Sequence, residues 1–177
     1  MNRKTLKVAL LQETDHGSRD ANLDAIEVGL REAAKAGAEL VLLQELHNGP
    51  YFCQHESVDL FDLAESIPGL STARIGKLAE ELKLVVVASL FEKRAAGLYH
   101  NTAVVFDRSA AIAGKYRKMH IPDDPLYYEK YYFTPGDLGF QAVDLAEDLR
   151  VLKPQCKEFL AKLAAIGLFG HDLFPRE

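Results

Sequence analysis

The chain has 177 residues, of which 48% are hydrophobic and 27% charged, with a formal net charge of −5. That length supports one domain with a real core, and the acidic balance argues against nucleic acid or an anionic membrane as partner, because both reward clustered Lys and Arg. Two cysteines, Cys53 and Cys156, are too few for a disulfide scaffold or a Cys-rich zinc site, and neither the run behind the basic start Met1–Lys4 nor the longer Leu84–Phe91 is long enough for a signal peptide or a membrane span, so a cytoplasmic location is expected.

Lys7 to Gln12 is a short apolar run and reads as a strand. Ser18 to Asn22 is polar and rich in capping residues. From Leu23 to Ala36 the residues Leu23, Ile26, Leu30 and Ala33/Ala34 recur at helical spacing, and Gly37 stops the helix. Glu39 to Leu43 is a second strand, and strand–helix–strand implies that the two strands are parallel. Pro68-Gly69 breaks the chain, and Ser71 or Thr72 caps a helix that runs to Leu82. Leu84 to Leu90 is a β-branched run suited to a strand buried on both faces. Tyr99–Phe106 and Ala110–Tyr116, joined by Asp107-Arg108-Ser109, form a hairpin. Residues 118 to 140 make a long loop, of the kind that often carries function. Beyond it, 141–153 is crowded with acids, Pro154 interrupts, and Gln155–Ile166 is amphipathic with Gly167 as its stop.

Three constellations carry chemistry. In Leu42-Leu43-Gln44-Glu45-Leu46-His47, Glu45 stands at the carboxyl end of the second strand, where open α/β sheets place ligands. A carboxylate among apolar neighbours has a raised pKa and suits a general base; the alternative is an ordinary solvated strand end. In Gly114-Lys115-Tyr116-Arg117-Lys118-Met119-His120, one lysine at a strand end suits an oxyanion. The alternatives are a basic edge that discourages aggregation, or an anion site shared by Lys115, Arg117, Lys118 and His120. The aromatic-dense stretch Tyr127–Asp137 either lines a ligand pocket or seals the sheet edge.

The Glu45 segment "LVLLQELHNGPYFCQ" and the Lys118 segment "GKYRKMHIPDDPLYYEKYYFTPGDLGF", in this order, resemble the carbon–nitrogen hydrolases of the nitrilase superfamily. "PYFCQ" and "YRKMHIPDDP…YYEKYYFTPGD" resemble its N-carbamoylputrescine amidase branch. The resemblance covers roughly residues 5 to 140. It implies an α/β fold, a nitrilase-like α-β-β-α sandwich of which this chain supplies about the N-terminal half. It also implies a Glu–Lys–Cys triad that hydrolyses linear amide or ureido C–N bonds. By motif Glu45 matches the base, Lys118 the lysine, and Glu129 a second glutamate beside the lysine and substrate. The resemblance implies no cofactor and no metal, a small amide or ureido substrate, a place in polyamine biosynthesis and a homo-oligomer.

The family cysteine sits in a Gly-Val-apolar-apolar-Cys-Trp-Asp strand, and nothing here matches it: the chain has no Trp. Cys156 stands near the expected position by count, but Pro154 beside it is a poor resident of a central strand. Residues 1–140 are therefore expected to be the family portion and 141–177 a divergent tail, with Cys156 a weak candidate for the nucleophile. The resemblance places Cys53, in "PYFCQ", near the substrate entrance and gives it no nucleophilic role. A truncated, inactive amidase-like protein is the leading expectation, and a non-catalytic interaction module or an anion-binding α/β domain the alternatives.

Overall fold

The computed structural model describes residues 5–139 and Val143. The acidic segment 141–153, except for Val143, the helix expected over 155–166 and Cys156 lie outside the described residues.

Five strands form one sheet in the order β1 (Val8–Leu11), β2 (Leu40–Leu43), β3 (Val85–Ala95), β4 (Leu98–Phe106) and β5 (Ile112–Arg117). The first three are parallel, as strand–helix–strand connections require, and the last three form an antiparallel meander. β3 is longer than the apolar run that announces it. Past Leu90 it continues through Phe91 and Glu92, then turns at Gly97, whose φ of 73° suits a residue without Cβ. The charge of Glu92 disguises this extension, because its carboxylate is matched by a partner inside the protein rather than by water.

Helix α1 (Arg19–Lys35) begins four residues before Leu23. Ser18, extended at φ −154°, is the cap, and its Oγ accepts the Ala21 N–H at 3.2 Å. Asp20 in the first turn and Lys35 in the last complement the helix dipole. Helix α2 (Leu70–Leu82) starts ahead of the two predicted caps. Gly69 holds the cap position. Thr72 sits inside the first turn and accepts the Gly69 N–H at 2.7 Å, while Ser71 donates its N–H to the Glu65 carboxylate at 3.0 Å. A carboxylate reaching in from the preceding loop thus does the capping that a hydroxyl was expected to do.

Both helices cover one face of the sheet. Leu23, Ile26 and Leu30 of α1 and Ile75, Leu78 and Ala79 of α2 pack on Val41, Leu43, Val86, Ala88, Leu90, Val104 and Phe106. Full burial of each large side chain stabilises by roughly 1.5–3 kcal/mol, which fixes the layer as a unit. At the carboxyl end of the parallel strands lies a second, mostly aromatic core: Leu46, Phe52, Cys53, Phe91, Tyr132 and Phe133. This core holds the loops that carry the polar groups described next.

Candidate active site

β2 ends at Leu43, and the chain must turn within three residues to keep Glu45 at the sheet. Leu46 makes that turn in the left-handed region, at φ 51°. That conformation costs an L-residue roughly 1–2 kcal/mol. Burial of the Leu46 side chain in the aromatic core offsets it. The next residue, His47, is buried and places Nδ1 2.7 Å from the Ser89 carbonyl oxygen. A carbonyl only accepts, so Nδ1 carries the proton. Burial lowers the His47 pKa to about 4, and the ring is neutral at pH 7.

Lys118 follows directly on β5. Its N–H donates to the Asn101 carbonyl at 2.9 Å, and its carbonyl accepts the Gly136 N–H at 2.8 Å. Gly136 is glycine for a steric reason: a Cβ there would run into the Arg117 carbonyl oxygen. Glu129 opens the single turn α3 (Glu129–Tyr132) within the long loop, and Tyr132 and Phe133 anchor that turn in the aromatic core. The Tyr127–Asp137 stretch is divided: Tyr132 and Phe133 seal the sheet end, while Tyr127 and Tyr131 stay exposed.

These three elements converge. Lys118 Nζ lies 3.2 Å from Glu45 Oε1 and 2.7 Å from Glu129 Oε2. The side chains of Lys118, Glu45 and Glu129 are 6%, 12% and 2% exposed, so the charges meet out of water. Both oxygens of Glu129 are engaged: the other accepts the Tyr51 hydroxyl at 3.0 Å. Those of Glu45 are not. Asn101 Nδ2 donates to Oε1 at 2.6 Å, the same oxygen that Lys118 contacts, and among the described residues nothing hydrogen-bonds to Oε2. Burial, joined by the charge of Glu129, raises the Glu45 pKa against the pull of Lys118 and Asn101. Burial works against the Lys118 ammonium, but the two carboxylates outweigh it and its pKa is raised. The result is one buried cation, one carboxylate that only holds it, and one carboxylate with a free and basic oxygen. Such a set can take a proton from a nearby acid and present a positive charge to a developing oxyanion.

Cys53 lies against this cluster and is fully buried. Burial, then the charges of Glu129 and Glu45, push its thiol well above the usual range, so it is a neutral S–H. The basic run 115–120 does not gather into an anion site. Strand alternation sends Lys115 and Arg117 to the opposite face, where both pair with Glu92, and His120 is exposed. Among the described residues, no group of three or more His, Cys, Asp or Glu is placed to hold a metal ion, and no helix is long and apolar enough to cross a membrane. Three contributors escaped the sequence: Ser89, Asn101 and Tyr51. The signal for Asn101 was present, since His100-Asn101-Thr102 interrupts an otherwise apolar strand and all three are buried.

With this geometry in hand, known proteins give a consistent picture. Residues 7–152 match the carbon-nitrogen hydrolase family. The chain is 44% identical over 138 residues to an N-carbamoylputrescine amidase from Oryza sativa subsp. japonica, covering 77% of this chain and 46% of that protein. It is 39% identical over 140 residues to a citrullinase from Francisella tularensis, covering 78% of this chain and 49% of that one. Among solved structures, a carbon-nitrogen hydrolase from Helicobacter pylori G27 superposes with a TM-score of 0.75 at 49% identity, over 78% of this chain and 47% of that one. The chain thus spans about half the length of the relatives it matches.

Proposed function

Since the chain belongs to the carbon-nitrogen hydrolase family, with the nitrilase fold that goes with it, we propose that its described residues form the base-and-lysine part of a site that hydrolyses small linear ureido or amide compounds, N-carbamoylputrescine in particular. The observation that carries this reading is the buried Lys118 ammonium between two carboxylates of which, among the described residues, Glu45 alone keeps an unbonded oxygen. The relatives named N-carbamoylputrescine amidase and citrullinase both point to substrates that carry a ureido group.

In the proposed reaction Glu45 takes the proton of a cysteine thiol, and the thiolate attacks the ureido carbonyl. Lys118, fixed by Glu129, faces the oxyanion that forms. The C–N bond to the terminal nitrogen breaks, and that nitrogen leaves as ammonia with the proton returned by Glu45. Water, deprotonated by Glu45, then attacks the thiocarbamate carbon, the C–S bond breaks with the proton returned from Glu45 to sulfur, and the released carbamic acid falls to putrescine and carbon dioxide. Cys53 is a poor candidate for the nucleophile, being a neutral and fully buried thiol, and Cys156 sits in a sequence unlike the family's.

The 177-residue chain by itself is therefore expected to show no family-like turnover, because loss of a nucleophile costs on the order of a millionfold in kcat. The check is ammonia release from N-carbamoylputrescine by the purified chain beside its Cys156→Ala and Cys53→Ala variants. Release that vanishes in only one variant would identify that cysteine as the nucleophile and overturn the expectation of inactivity. Release that survives both substitutions would mean a contaminating enzyme.

A further inference from the structure

The assignment of Glu45 as base leaves open why a carboxylate touching a lysine keeps a free oxygen at all. A flexible glutamate beside an ammonium is free to offer both oxygens and so end as a plain ion pair. The polar groups behind it prevent this. Asn101 Nδ2 donates to Glu45 Oε1 at 2.6 Å, and Ser89 Oγ donates to Asn101 Oδ1 at 3.1 Å. The orientation of the amide is set by chemistry, since a carboxylate accepts and only the NH2 side of Asn101 can serve it. Ser89 then has an oxygen to donate to. Both side chains are buried, at 3% and 1% exposed, so neither has water as an alternative partner.

The placement of the pair is a consequence of register. Ser89 faces Ala103 and Phe91 faces Asn101 across β3 and β4, so Ser89 and Asn101 are diagonal neighbours on one sheet face. Each is tied a second time through its backbone. His47, two residues beyond Glu45, donates to the Ser89 carbonyl, and Lys118 donates its N–H to the Asn101 carbonyl at 2.9 Å. Asn101 thus holds the base with its side chain and the lysine with its main chain.

We infer that Asn101, braced by Ser89, is a positioning residue that commits Oε1 of Glu45 to the protein and leaves Oε2 for the reacting proton. The inference rests on the base role of Glu45. Its test reads the carboxylate directly: the Glu45 side-chain carbon is followed by 13C NMR through a pH titration of the intact chain. In Asn101→Leu the Glu45 titration moves upward, because a buried carboxylate has lost a donor, and in Ser89→Ala it moves the same way by less. Ser109→Ala, in the distant β4–β5 turn, leaves it in place. A native-like Asn101→Leu or Ser89→Ala spectrum with Glu45 titrating as in the parent overturns the inference. Should Asn101→Leu not fold, Ser89→Ala decides alone. Lys118→Met separates the two levels: an unmoved Glu45 there sinks the site reading itself, whereas a response to Lys118→Met without one to Asn101→Leu sinks only the positioning role.

Discussion

Arg117 and Lys118 are neighbours in sequence and their side chains serve two different charge clusters. On the helix-covered face, Arg117 grips Glu92 with two bonds of 2.7 Å, Glu92 also accepts Thr102 at 2.6 Å and Lys115 at 3.3 Å, and a further guanidinium nitrogen reaches Asp137 at 2.9 Å. On the other face, Lys118 meets Glu45 and Glu129 with one contact each. The first cluster spends every oxygen, and burial, which would raise the Glu92 pKa, is overcome by Arg117 and Thr102 to leave it at about 2. Among the described residues the second cluster leaves one oxygen unbonded, and burial wins at Glu45, whose pKa is raised. Buried ion pairs are not one thing: saturation makes a strut, and a spare acceptor leaves a carboxylate able to take up a proton.

The largest expected effect tests the strut. Arg117→Met strands a buried Glu92 charge and lowers stability by about 3–5 kcal/mol, whereas Arg117→Met with Glu92→Met recovers most of the loss, since an apolar pair replaces a compensated one. Urea unfolding of parent, single and double variants measures both, and a double variant as unstable as the single would show that the pair does more than neutralise itself.

Acid unfolding separates His47, beside the Glu45 turn, from Glu92 by pH. Neutral His47 has a folded pKa of about 4 against an ordinary 6.5, so the unfolded chain binds more protons between these values. Stability is full above 6.5 and falls by roughly 3 kcal/mol as pH drops to 4. Glu92 adds a second loss as pH falls from 4.5 toward 2, also roughly 3 kcal/mol. His47→Gln keeps a donor for Ser89 and removes the first step only. A stability profile unchanged by this substitution would remove His47 from the account.

The smallest effect belongs to Glu45. Glu45 is held with its pKa raised, so its charged form is a burden on the fold at pH 7. Glu45→Gln should therefore leave stability unchanged or raise it by about 1 kcal/mol, as is common where function stores strain. Thermal unfolding checks the sign, and a clear destabilisation would make Glu45 a strut like Glu92.

Much of this architecture was legible in the sequence, and the misses share a cause. Helical periodicity announced α1 and α2, and β-branched runs announced the parallel strands. Boundaries shift where a polar side chain has a partner inside the protein: Asn22, assigned to the polar capping stretch, bonds to Asp15 from within α1, and Glu92 conceals the extension of β3. Glu45, Lys118 and Glu129 were named from motifs, and the structure brings them to one point. What strings of letters do not display is which partners a group already has. Asn101 looks like any strand asparagine until register sets it diagonal to Ser89, and the basic run 115–120 looks like one patch until alternation divides it.

That division depends on strand phase, and phase has a mark of its own. Arg117 and Lys118 are both cations, so a one-residue slip of β5 would exchange their clusters with little penalty in net charge. Gly114 lies opposite Val105, and the space its missing side chain leaves is filled by Val143, so that a Cβ at this point would collide with the valine. A slip presents Ala113 or Lys115 there and jams. Gly114 is in this sense a keyed notch, which admits β5 in the one setting that hands the arginine to Glu92 and the lysine to Glu45 and Glu129.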